Sequence, residues 1–189
     1  MKSSETSILM IAGHTGSGDA HWQRRMAAKL STAKIVEQED WLYQSLNKAV
    51  DTLVAAVKAA EWPMVFVAHS LGCVLVAHSV AKLDEAGLTS RVKGAFLVAP
   101  PSEESLAKYK PKIDPAMLHV PRAPLPFPSL LIASSNDTFS TLEQSADIAA
   151  AWGSHFINAG EHGHINTTSG HGPWPEGIMK FAGWLSKLA

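Results

Sequence analysis

The chain reads as a single α/β domain, a mostly parallel sheet of about five to six strands with helices on both faces. Three observations predict this. Short apolar runs alternate with helical patterns from one end of the sequence to the other. The runs are nearly continuous in apolar residues rather than alternating, as strands covered on both faces are. With 189 residues, 46% hydrophobic and 17% charged, the composition suits one compact domain over residues 1–189 rather than a disordered chain.

The elements follow in order. Ile8–Ala12 forms a first strand that stops at Gly13, a helix is expected over 20–30, and a short strand follows at Lys34–Val36. Leu42, Leu46, Val50, Leu53, Val54 and Val57 recur at spacings of three and four, which gives a helix one apolar face. Met64–Ala68 is the third strand. The helix after it, from Leu71 to about Glu85, is apolar nearly all round and suits burial against the sheet centre, with Gly87 as its C-cap. Gly94–Val98, Leu130–Ala133 and a weaker His155–Ile157 complete the strands. Further helices are expected over 142–152 and 175–188, the last with Pro175 in its first turn. Residues 100–128 hold eight of the 11 prolines (Pro100, Pro101, Pro111, Pro115, Pro121, Pro124, Pro126 and Pro128). Such a segment is an ordered loop with at most one short helix, so no large cap domain is expected.

Sixteen basic and 17 acidic residues give a net charge of −1, without a basic stripe, so nucleic acid is not an expected partner. Cys73 is the sole cysteine, which leaves neither a disulfide framework nor a cysteine zinc site. No run approaches the ~18 apolar residues of a membrane span, and the first run is too short for a signal-peptide core. A soluble cytoplasmic protein without a membrane partner is expected. Gly13-x-x-Gly16-x-Gly18 is not the dinucleotide fingerprint and no phosphate-loop lysine follows it, so no cofactor is expected.

The chemistry gathers around Ala68-His69-Ser70-Leu71-Gly72, a small-residue turn between the third strand and its helix. This is the setting of a nucleophile elbow, in which a strained turn exposes a serine hydroxyl above the sheet. The usual motif has glycine where this chain has Ala68, a departure of one methyl. A serine nucleophile needs a histidine to take its proton and a carboxylate to orient the histidine. Asp137 follows the strand Leu130–Ala133, at the sheet edge where catalytic groups collect. His162 and His164 sit in the loop Gly160–Asn166, and on local grounds either could be the base. Both could also chelate a metal with Glu161, but no further ligand cluster stands out and no metal is expected. Developing negative charge on a substrate oxygen needs backbone donors. One is the amide of Leu71, and the second should come from the glycine-rich loop at 13–18, through His14 or Thr15. His14, His21, His69, His78, His119, His155 and His171 are otherwise read as surface or packing residues.

At this point the residues resemble a known family. Gly16-Ser17-Gly18 with His21-Trp22-Gln23, the elbow through Cys73, Leu97–Pro100, Ala133–Asp137, Ala151–Ser154, Gly163–Asn166 and Ser169–Gly177 are similar to the small α/β-hydrolases of the retinoblastoma-binding protein 9 and YdeN-like serine hydrolase family. The resemblance covers almost the whole chain. It implies a single-domain α/β-hydrolase in which Ser70 is the nucleophile, Asp137 the acid and His164 rather than His162 the base. It further implies a small-molecule acyl substrate, an ester or amide. The alternative is a non-catalytic interaction module on the same fold, although no protein partner is indicated. Trp22 and Trp174 lie in loop regions flanking the oxyanion loop and the histidine loop, where they are expected either to wall a shallow apolar cleft or to pack in the core and at a helix start.

Overall fold

The computed structural model describes all residues except 62, 111 and 189, so Pro111 of the proline-rich segment lies outside the described residues. Six strands, β1 (Ser7–Ile11), β2 (Ala33–Ile35), β3 (Met64–His69), β4 (Val92–Val98), β5 (Ser129–Ala133) and β6 (His155–Asn158), pair in the order β2-β1-β3-β4-β5-β6. Every pair is parallel. The helices are α1 (Trp22–Ala27), α2 (Leu46–Ala59), α3 (Leu71–Glu85), α4 (Glu103–Ala107), α5 (Leu142–Trp152) and α6 (Pro175–Leu185).

Successive strand residues point to opposite faces, and two apolar cores result. Leu9, Ile11, Phe66, Ala68, Leu97 and Leu131 meet α2, α3 and α5 on one side of the sheet. Ile8, Met10, Val65, Val67, Phe96 and Ile132 meet α1 and α6 on the other. All six residues of β3 are buried, which is why this strand shows no alternation in sequence. The chain runs from β1 out to the edge strand β2 and then crosses back to β3. The sheet order therefore reverses between β1 and β3, and a crevice opens above their C-terminal ends.

Residues 100–128 form no separate domain. They contain α4 and a turn of 3-10 helix at Pro115–Leu118, and Leu106, Ile113, Met117, Val120 and Phe127 are buried in the α2–α3–α5 core. One expectation is corrected here. Leu42 does not belong to α2 but is 74% exposed in a turn, where the Asp40 carboxylate accepts the amides of Leu42 and Tyr43 at 2.7 and 3.1 Å. The helix begins at Leu46, whose amide donates to the Asp114 carboxylate at 2.9 Å. A carboxylate brought in from the proline-rich segment thus fixes the start of the helix. At the other end of the chain α6 stops at Leu185, short of residue 188.

Candidate active site

Ser70 joins β3 to α3 with φ 53° and ψ −126°, a positive-φ conformation that costs a non-glycine residue energy. The strain is offset by packing on both sides of the turn. A Cβ at Gly72 would sit 2.4 Å from the Ile11 carbonyl oxygen, so only glycine lets α3 approach β1 this closely. A Cβ at Gly13 would lie 2.9 Å from the Ser70 Cβ, so glycine is also what lets the loop after β1 lie against the serine. Ala68 is fully buried, and its methyl joins the core beneath the turn.

Two side chains from separate loops line up with the serine. His164 Nε2 lies 2.8 Å from Ser70 Oγ. His164 Nδ1 lies 3.0 and 2.9 Å from the two carboxylate oxygens of Asp137. An ionised carboxylate only accepts, so the Nδ1–H tautomer is favoured and Nε2 is left to accept the serine proton. The side chains of His164 and Asp137 are 9% and 2% exposed, which strengthens their interaction. Asp137 also accepts the Phe139 amide at 2.9 Å, and the Phe139 ring packs on His164 with centroids 4.2 Å apart. His162 is engaged elsewhere, its Nδ1 2.9 Å from His171 Nε2. Since Asp137 and Ser70 occupy both nitrogens of His164, that ring offers nothing to the metal arrangement with His162 and Glu161.

Of the expected oxyanion donors, the Leu71 amide opens α3 and has no helical acceptor. The His14 amide makes no backbone hydrogen bond among the described residues. Thr15 does not fit the expectation, because its amide donates to the Trp41 carbonyl at 3.1 Å and is occupied.

A cleft of about 450 Å³ opens above Ser70. Trp22 and Trp174 do not wall it, which corrects the pocket assignment and leaves the core-packing alternative. Both are 2% exposed and pack on each other, centroids 5.1 Å apart, within the α1–α6 core. The Trp22 indole N–H donates to the Ile165 carbonyl at 2.9 Å, so it braces the histidine loop from behind. The cleft is bordered instead by the loop at 13–18, by Leu106 and Tyr109 near α4, and by Phe139.

Two histidines read as surface or packing residues also border the cleft, His21 and His69, both buried. His69 Nε2 lies 2.9 Å from the His164 carbonyl oxygen and donates to it. His21 caps α1, its Nδ1 accepting the Gln23 amide at 3.2 Å. The rings of His21 and His69 are 4.8 Å apart, and those of His69 and His164 are 4.9 Å apart. Burial pushes the His21 imidazole down to about 4 and holds His69 well below the ordinary histidine range. Both therefore stay neutral beside His164, where a second cation would oppose formation of an imidazolium. The available signal was position: His69 adjoins Ser70, and His21 follows the glycine-rich loop at a helix start.

A family model described as serine hydrolase matches residues 8–183. Among solved structures, a protein from Pectobacterium atrosepticum described as a YdeN-like hydrolase superimposes with a TM-score of 0.81 at 26% identity, covering 97% of this chain and 92% of that one. The ydeN product of B. subtilis gives 0.76 at 20% identity, over 96% and 100% of the two chains. The esterase domain of a Rhodothermus marinus protein gives 0.66 at 11% identity, over 96% and 87%. At these lower identities the likeness is one of fold. No curated protein matches the chain.

Proposed function

The chain belongs to the serine hydrolase family, and from that premise we propose that it cleaves small ester or amide substrates through an acyl-enzyme formed on Ser70. One observation carries the reading, the continuous hydrogen-bonded line from Ser70 Oγ through His164 to Asp137. Ser70 Oγ attacks the carbonyl carbon while His164 Nε2 takes its proton. The carbonyl π pair moves onto the oxygen, where the amides of Leu71 and His14 stabilise the charge. Collapse re-forms the carbonyl and breaks the bond to the leaving group, which departs with the proton held by His164. Water, deprotonated by the same nitrogen, then attacks the acyl-enzyme, and collapse returns the acid and free Ser70. Asp137 stays ionised throughout and stabilises the imidazolium.

The cleft volume suits a short to medium acyl group. A cytoplasmic setting fits a chain whose sole thiol, Cys73, is buried with its Sγ against the Val98 carbonyl. Among the described residues no helix is long and apolar enough to cross a membrane. The test is hydrolysis of p-nitrophenyl esters of graded acyl length. The wild type is expected to show a maximum at short to medium chains and Ser70→Ala only residual activity. Equal rates for the two proteins would leave the non-catalytic interaction module as the better reading.

A further inference from the structure

His21 carries a proton donor in the cleft wall that the proposed mechanism does not use. Its Nδ1 is committed to the Gln23 amide, so the neutral ring holds its proton on Nε2. That Nε2 is buried and has no hydrogen-bond partner among the described residues, and His21 borders the same cleft as Ser70 and His164. The residue is 4% exposed. Buried N–H groups in native folds are paired with few exceptions, so this one calls for an acceptor.

The donor is also rigidly built. The His21 amide donates to the Gly18 carbonyl at 2.8 Å, and its own carbonyl accepts the Arg25 amide at 3.0 Å. The next residue but one, Gln23, donates from its carboxamide to the carbonyls of Ile11 and Val67 at 3.1 and 3.0 Å and accepts the Ser17 hydroxyl at 2.7 Å. The start of α1 is thereby fastened to the ends of β1 and β3, beside the nucleophile. His14, which also borders the cleft, has a second buried Nε2 without a hydrogen-bond partner among the described residues. Among the described residues no aspartate or glutamate borders this cleft, and Lys112 is the one that lines it with a permanent charge. No carboxylate among the lining residues is therefore at hand to accept the His21 N–H.

We propose that His21 is a specificity-determining residue, its Nε2–H binding a second oxygen of the substrate apart from the scissile carbonyl. The preferred substrates are then oxygen-substituted small esters, bearing a keto, hydroxyl or carboxylate oxygen, rather than plain alkyl esters. This rests on the serine-hydrolase reading of the cleft. A site that hydrogen-bonds a substrate oxygen discriminates against the analogue lacking it, because its own polar group is otherwise left unpaired.

The test compares ethyl pentanoate with two near-isosteres, ethyl levulinate and monoethyl succinate, and with hydroxyethyl pentanoate. The first two place the extra oxygen on the acyl side and the last on the alcohol side. The readout is the ratio of kcat/KM for each oxygenated ester to that for ethyl pentanoate within one protein, which cancels any loss of folded enzyme. The wild type is expected to prefer at least one oxygenated ester by about tenfold or more. His21→Asn keeps an acceptor for the Gln23 amide but lacks the distal N–H, and its ratio should fall to within about threefold of unity. His21→Gln, whose amide nitrogen reaches the position of Nε2, should retain most of the preference. On the unmodified protein, levulinate should protect Ser70 from a fluorophosphonate better than pentanoate does. Ratios near unity in the wild type on every arm, or a preference unchanged in His21→Asn, would overturn the inference while leaving the hydrolase intact. Absence of both turnover and labelling would overturn the hydrolase reading itself, and this inference with it.

Discussion

Asn136 Oδ1 accepts the Gly163 amide at 2.6 Å, tying the turn that carries Asp137 to the loop that carries His164. The same oxygen accepts the Ser134 hydroxyl at 2.9 Å, and Ser134 Oγ in turn accepts the His162 amide at 2.9 Å. Neighbours of the proposed acid thus hold the backbone of the proposed base. Asn136→Ala removes the acceptor without touching Ser70, His164 or Asp137. It is expected to lower kcat about tenfold with little change in KM, consistent with loss of one well-placed hydrogen bond. Steady-state kinetics on a short ester checks this, and an unchanged kcat would show that the loop holds itself.

The two histidines of the loop should separate sharply. His164→Ala is expected to lower kcat/KM by at least about a thousandfold, since base and acid are lost together. His162→Ala removes a ring that pairs with His171 but leaves the backbone amide that Ser134 holds, so activity should stay within about threefold of wild type. Ester hydrolysis by the two variants checks the ranking. The reverse order would assign the base to His162.

Gly72→Ala tests the elbow through stability. Its Cβ would press on backbone, with the Ile11 oxygen at 2.4 Å and the Ala12 oxygen at 2.8 Å, so α3 must shift away from β1. A cost of about 2 kcal/mol is expected from overpacking against groups that cannot rotate away. Denaturant unfolding measures it, together with a fall in activity as Leu71 moves off its position. Unfolding indistinguishable from wild type would show that the helix has room to spare.

The neutral histidines behind the proposed triad set an acid limit. His21 titrates near 6.5 when unfolded and at about 4 when folded, so between these values the unfolded chain binds more protons. The stability it contributes is present above 6.5 and is lost as pH falls toward 4. His69, whose burial also lowers it, acts with the same sign. The loss at His21 is on the order of 3 kcal/mol at most. His21→Asn should therefore flatten the dependence of unfolding free energy on pH between 4 and 6.5. A slope equal to that of the wild type would place the acid sensitivity elsewhere.

Much of the fold was legible because it depends on local pattern. β3 is apolar up to His69 and α3 is apolar through Ala77, since both faces of the strand and most of the helix are buried, and composition alone carries that information. The order of Ser70, Asp137 and His164, each at the end of a strand or just beyond it, was legible for a similar reason. What sequence could not supply came from partners distant in the chain. Leu42 matched the helical spacing, but Asp40 turns the chain there and Asp114 receives the first amide of α2. Trp22 sits beside the oxyanion loop in sequence, yet its indole turns inward to Ile165, 143 residues away. Thr15 and His14 are neighbours in a glycine-rich loop, and only the Trp41 carbonyl distinguishes the occupied amide from the free one. His21 looked like an ordinary polar residue because nothing local marks its Nε2 as buried and unpaired.

Intact-mass spectrometry after incubation with a fluorophosphonate reads whether Ser70 is an activated nucleophile. The wild type should carry a single adduct, mapped to the peptide containing Ser70, that is absent from Ser70→Ala and formed far more slowly by His164→Ala. An adduct that persists in Ser70→Ala, or a wild type that stays unmodified, would contradict it.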